Sequence, residues 1–358
     1  MKLSIRNWVL ALLVSFSAGC YYDDGDLFWV ERNGAVMPVW VRGNTDSGVF
    51  IIFNHGGPGS SSIFEAYLES SPGDGSIDGV SPLKAFEDRY AMVYWDQRHQ
   101  GNAQGSANPD GTTWEDFGAD AELVVDALGK RHDVESLFMI GQSWGQAVGT
   151  IYMTLGDRWE TRQAKLDGYI DYKGNISANQ PYTYAVPKAT AIAQEHLEVG
   201  NNVEFWNKCR DFWDSHDEIT TPSEFVLHSD CIDTAMGGLI AFGERIKTSV
   251  AFTFISPHSG WYHWANNKAT TRSTFMERVV AESPLLQTAH RVQVPTLMIH
   301  GRLDLQSLPE VGQWYYDTIE TPPEDKTLLI LEDSPHGAVG ADVQILQDSI
   351  IDFVEDNR

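Results

Sequence analysis

The chain is short of cations and of cysteine, and it lacks any apolar run long enough to cross a bilayer as a helix. Its 25 lysines and arginines stand against 50 aspartates and glutamates, a net charge of −25. Such a surface disfavours nucleic acid and anionic membrane faces. It suits solubility or a salty habitat, and it would also favour cationic substrates such as peptide amino termini. Three cysteines in 358 residues leave little room for a disulfide framework. No repeat, low-complexity tract, metal-ligand spacing or nucleotide loop occurs, so no metal and no cofactor is expected. At 358 residues the chain can still bury an ample core and form two domains.

The most informative segment that is present is Gly141-Gln142-Ser143-Trp144-Gly145. It follows the apolar run Ser136 to Ile140 and precedes the helix-forming stretch Ala147 to Met153. A buried strand, a G-x-S-x-G turn and a helix are the parts of a nucleophile elbow. Glycine is needed two residues to either side of Ser143 because the turn is too tight for flanking side chains. The first N–H groups of the following helix then point at whatever the serine attacks.

A second motif supports the first. Val49 to Asn54 reads as a short buried strand running into His55-Gly56-Gly57-Pro58-Gly59. A glycine-rich loop at such a place lets the backbone approach a substrate oxygen with no Cβ in the way. With the elbow downstream, the N–H groups of Gly57 and Trp144 are the expected oxyanion donors.

Two further strand ends complete a triad. Thr296 to His300 is followed by Gly301-Arg302-Leu303-Asp304, and Thr327 to Leu331 by Glu332-Asp333-Ser334-Pro335-His336. A serine hydroxyl needs a base to become a nucleophile. Imidazole can take that proton and return it, and a carboxylate fixes the imidazole tautomer. Ser143, Asp304 and His336 are the candidates, in the chain order of the α/β-hydrolases. Asp171, after the strand-like Leu166 to Ile170, is a rival acid, and Asp333 another.

Taken with Asp96-Gln97-Arg98 after the strand Met92 to Trp95, and with Thr112 to Asp116 before the elbow, these motifs resemble the proline iminopeptidase branch of the α/β-hydrolases. The resemblance covers roughly 45–157 and 290–345. It implies a serine peptidase that removes an N-terminal residue, often proline, without a metal. Two departures stand out. The family's short G-x-G-x-S after Asp-Gln-Arg is replaced by a longer run, His99 to Ser106. Between 172 and 290, Glu195, Glu198, Glu204 and Glu218 are present, but no context singles one out as the family's amine-binding glutamate; Glu195 and Glu204 are the first candidates.

The N-terminus reads as an export signal. Lys2 and Arg6 precede an apolar segment, Trp8 to Ala18, that is too short to span a membrane. Ser17-Ala18-Gly19-Cys20 resembles a bacterial lipoprotein processing site, so Cys20 is the expected lipid attachment point on a bacterial membrane; the alternative is an ordinary signal peptide. Removing Lys2 and Arg6 would make the mature chain more negative still. Cys209 and Cys231 then remain as a disulfide in an exported chain, or as two buried thiols.

The expected organisation is a signal over 1–19, a tether over 20–27, an α/β-hydrolase core over 28–171 and 291–358, and a helical lid over 172–290. The core is a mainly parallel sheet flanked by helices. Ala35 to Val41 reads as an edge strand because it holds Pro38. Thr112 with Glu115 reads as a capping box for the next helix. The lid aromatics Phe205, Trp206, Phe212, Trp213 and Trp261 to Trp264 read mainly as lid core, and Val343 to Val354 as a closing amphipathic helix. The expected function is an extracytoplasmic serine hydrolase, an aminopeptidase acting on a peptide or small acyl substrate. Alternatives are a carboxylesterase of the same fold and a binding lipoprotein without catalysis.

Overall fold

The computed structural model describes residues 25–67, 82–237, 260–270, 272–281 and 283–358. Cys20 and the segments read as signal and as most of the tether lie outside the described residues. Among the described residues, nine strands form one sheet: β1 (Asp26–Arg32), β2 (Ala35–Gly43), β3 (Val49–Asn54), β4 (Ala91–Trp95), β5 (Gln104–Gly105), β6 (Ser136–Gln142), β7 (Gly168–Tyr172), β8 (Thr296–Gly301) and β9 (Lys326–Leu331). Their order is β1-β2-β4-β3-β6-β7-β8-β9, with the short β5 paired to β2. From β4 onward neighbours along this order are parallel, while β1 and β2 add antiparallel pairs at one side.

The parallel strands β3, β4, β7 and β8 are buried along their whole length, as strands covered on both faces must be, while β9 is only partly buried. On β3, Phe50 and Ile52 join one core cluster, while Ile51 and Phe53 join the other. The helices are α1 (Ser62–Tyr67), α2 (Trp114–Arg131), α3 (Gly145–Thr154), α4 (Trp159–Gln163), α5 (Asn179–Glu198), α6 (Val203–Ser215), α7 (Pro222–Ala235), α8 (Gly260–Thr270), α9 (Thr274–Ala281), α10 (Leu285–Thr288), α11 (Pro309–Thr318) and α12 (Asp342–Asn357). The stripe Val343, Leu346, Ile350 and Val354 buries α12 against the second cluster, at helical spacing.

Several sequence expectations change in detail. β2 is not an edge: it pairs with β1 on one side and with β4 on the other. Pro38 is tolerated because its carbonyl accepts from Asp96 N–H at 3.1 Å. Its missing N–H faces the same side, just past the last residue of β4, so the β2–β4 ladder from Val39 to Gly43 is left whole. The cap of α2 sits one residue later than expected: Asp116 Oδ2 accepts from Thr113 N–H at 2.9 Å and from its hydroxyl at 3.2 Å. β1 begins at Asp26, inside the segment read as a tether. There the Asp26 carboxylate accepts from Arg131 at 2.8 and 2.6 Å, at the C-terminal end of α2.

Between β7 and β8 lie α5 to α10. Trp206, Phe212 and Trp213 are buried there with Cys209 and Cys231, which are bonded to each other between α6 and α7. Tyr262 and Trp264 are instead exposed on α8. Among the described residues, no helix is long and apolar enough to cross a membrane.

Candidate active site

All three triad candidates leave the same edge of the sheet. Ser143 follows β6, Asp304 follows β8, and His336 follows β9. In a parallel sheet every strand ends on that edge, so residues far apart in sequence converge there. Ser143 has φ +53°, a left-handed conformation uncommon for a residue with a Cβ. The glycines beside it answer to neighbouring chain: a Cβ on Gly145 would lie 2.0 Å from the Asn54 carbonyl oxygen, and one on Gly141 would lie 2.7 Å from Gln146 Cα.

His336 joins the other two. Its Nδ1 lies 2.8 Å from Asp304 Oδ2 and its Nε2 lies 3.2 Å from Ser143 Oγ. The tautomer that satisfies both carries its proton on Nδ1, so that the serine hydroxyl donates to Nε2. Asp304 is buried, which alone would raise its carboxyl. His336 and the N–H groups of Ser307 and Gln306 more than offset this and hold it below the ordinary range. The amides of Gln306 and Ser307 donate to Asp304 Oδ1 at 2.7 and 2.9 Å.

Neither rival acid reaches His336. Asp171 is fully buried at the end of β7, where its Oδ2 accepts from Gln146 Nε2 at 2.8 Å and lies 3.2 Å from His300 Nε2. Burial disfavours the His300 imidazolium, but Asp171 and the Ser307 carbonyl outweigh it and leave its pKa above the ordinary histidine value. Asp333 is exposed, and its N–H donates to Asp342 Oδ2 at 2.9 Å.

The glycine loop passes directly over the serine: a Cβ on Gly56 would stand 3.2 Å from Ser143 Cβ. Gly57 follows with φ +121°, a conformation that suits glycine. Trp144, next to Ser143, opens α3. The side chains that hold Gly57 and Trp144 carry no signal in the sequence. Gln97 Oε1 accepts from the Trp144 indole N–H at 2.9 Å, while Gln97 Nε2 donates to the His55 carbonyl at 3.1 Å. Gln100 Oε1 accepts from Gly59 N–H at 2.6 Å. Asp96 accepts from Ser61 Oγ and from the Asn102 amide, and Arg98 grips Asp120 of α2 with two bonds. The Asp-Gln-Arg segment is thus a polar frame for the loop beside the serine.

The intervening helices touch both sides of the site. On α8, Asn267 Nδ2 donates to the Gly59 carbonyl at 3.3 Å, and Asn266 donates to those of Gly101 and Ala103. Just after α7, Met236 Sδ accepts from Leu305 N–H at 3.2 Å, and the side-chain Nε2 of Gln306 donates to Asp233 on α7. Glu195 and Glu204 are exposed on α5 and α6. Among the described residues neither side chain shares a hydrogen bond or ion pair with the triad. Among the described residues, no three His, Cys, Asp or Glu side chains converge as a metal site would require.

With this sheet order and this strand-turn-helix at Ser143, the chain has the α/β-hydrolase fold. Three solved structures are similar to it over 93% of its length, each with a TM-score of 0.55. They are VinJ, at 18% identity over 99% of that chain; a proline iminopeptidase of Mycobacterium smegmatis, at 18% over 98%; and an esterase of Rhodococcus sp. ECU1013, at 16% over 99%. At such identities the likeness is one of fold. No protein-family model and no curated protein matches the sequence.

Proposed function

We propose that the protein is a serine hydrolase working through an acyl-enzyme. The observation that carries this reading is the unbroken chain from Ser143 Oγ through His336 to Asp304, at 3.2 and 2.8 Å. Ser143 attacks a substrate carbonyl as its proton passes to His336 Nε2, and the Asp304 carboxylate stabilises the imidazolium formed. The N–H groups of Gly57 and Trp144 receive the oxyanion, a contribution of about 3 kcal/mol per donor in comparable sites. The proton on His336 then goes to the leaving group, and water, activated by the same imidazole, releases the acyl group.

Within this class the reading is an aminopeptidase. Its support is the pairing of the glycine loop with the Asp-Gln-Arg frame, the features that resemble the proline iminopeptidase branch. A protonated amino terminus would also suit a chain with a charge of −25, and Glu195 and Glu204 are the first carboxylates to test as its partners. The second reading is a carboxylesterase, since the same fold and triad would serve ester substrates and the similar structures include an esterase beside the iminopeptidase.

A substrate panel separates the two. An aminoacyl arylamide should be cleaved and its N-acetyl form should not, with the rate falling as pH rises through the α-amine pKa near about 8. Simple acyl esters should be poor substrates. Ser143→Ala should abolish all turnover, by at least about a thousandfold. N-acetylated or simple acyl substrates turned over as fast as free-amine ones would leave the esterase reading in place. An active Ser143→Ala variant would remove both.

A further inference from the structure

A second hydrogen-bonded chain runs beside the triad, and acyl transfer does not use it. Glu65 on α1 accepts from Ser60 Oγ at 3.2 Å. Its other oxygen accepts from the Gln142 side-chain amide at 2.8 Å, and Gln142 in turn accepts from Lys173 Nζ at 3.2 Å, in the amide orientation that satisfies both neighbours. Lys173 Nζ also donates to the main-chain carbonyl of His336 at 2.7 Å. The chain therefore starts next to the glycine loop, passes through the residue before Ser143, and ends on the backbone of the base.

Lys173 is held for this contact. Its φ is +48°, which turns it off the end of β7. Its N–H donates to the Ile299 carbonyl at 2.7 Å, and its ammonium lies 5.0 Å from the centre of the Tyr172 ring. His336, by contrast, sits on a loop after β9, and the triad fixes only its ring. An ammonium donating to its carbonyl is a charge-assisted bond, roughly twice as strong as a neutral one. An error of about 1 Å in the reacting geometry can cost about a hundredfold in rate.

We propose that Lys173 and Glu65 are positioning residues for the base: the ammonium fixes the backbone of His336 and so the approach of Nε2 to Ser143, and Glu65, through Gln142, fixes the ammonium. The proposal rests on the serine-hydrolase reading of the triad. The groups facing Glu65 are Lys173 after β7, Asp96 after β4, Ser60 on the glycine loop and Gln142 on β6. Burial pushes the Glu65 carboxyl up to about 7, with Lys173 opposing. Below neutrality Glu65 therefore gains a proton and its charge no longer faces Lys173.

The test is the second-order rate of covalent labelling by a fluorophosphonate, which reads the activation of Ser143 without a known substrate. The full chain is compared with Lys173→Met, Lys173→Arg and Glu65→Gln, each checked for folding by its thermal transition. Lys173→Met should label at least about tenfold more slowly, and Lys173→Arg should recover most of that loss. In the wild type, protonation of Glu65 removes the charge that steadies Lys173 and adds to the loss of labelling on the acid side; Glu65→Gln lacks that proton, so its acid limb should be less steep. Wild-type labelling in Lys173→Met overturns the proposal, as does Lys173→Arg no faster than Lys173→Met. Should Lys173→Met fail to fold, the Glu65→Gln profile decides alone, and an unchanged acid limb overturns it. A wild type that does not label at all removes the hydrolase reading instead, a separate result.

Discussion

Two aspartates end neighbouring parallel strands or the turns after them, and their surroundings give them different work. Asp304 faces the imidazole that faces Ser143, whereas Asp171 is sealed against His300 and Gln146. Asp304→Asn should fold and lose about 10³–10⁴ in turnover, because an amide favours the wrong imidazole tautomer. Asp171→Asn should retain turnover within about tenfold but lose roughly 1–3 kcal/mol of stability with its buried partner left uncompensated. Turnover and urea unfolding of both variants check this, and the opposite ranking would reassign the acid. The pH dependence has opposite signs at the two sites. The depressed carboxyl of Asp304 contributes stability above its unfolded pKa of about 3.9, and that contribution is lost as pH falls through the folded value. The raised pKa of His300 contributes stability below about 6.5, lost as pH rises through its folded value. Asp171→Asn should therefore lower the thermal midpoint more at pH 6 than at pH 9, and equal losses would contradict the pairing.

At the scale of elements, legibility followed locality. The strands carrying Ser143, Asp304 and His336 could be read because each is an apolar run ending in a turn, and a parallel sheet brings such ends together. Gln97, Lys173 and Glu65 could not be read, since their partners are set by the fold: Lys173 meets a residue 163 positions away, and Gln97 meets Trp144 at 47. Pro38 misled because proline in a strand signals an edge unless its N–H side points past a neighbour's end. The amine-binding carboxylate stayed hidden for a similar reason, since glutamates on amphipathic helices look alike until something shows which face meets substrate. The cross-link between α6 and α7 belongs to this scale as well. It closes a separation of 22 residues, worth roughly 3 kcal/mol on the chain-entropy model. Replacing Cys209 and Cys231 by Ser should make α6 and α7 the first site of cleavage in limited proteolysis, with the sheet strands protected. Non-reducing peptide maps of the wild type should show the linked pair, and two thiols alkylated without denaturant would refute it.

Over the whole molecule, the expectation of lipid anchoring at Cys20 is tested by Cys20→Ala, which should lose incorporated palmitate and leave the membrane fraction. Palmitate retained on the variant would contradict it. The triad also has a consequence in time. Ser143 and His336 are 193 residues apart, and a chain grows by about 5–20 residues per second, so the base emerges roughly 10–40 s after the nucleophile. On the proposed mechanism, Ser143 should be an ordinary alcohol until β9 has paired with β8 and delivered His336. A growing chain should then be chemically silent for that whole interval, and ribosome-arrested chains ending before 326 should not react with a fluorophosphonate.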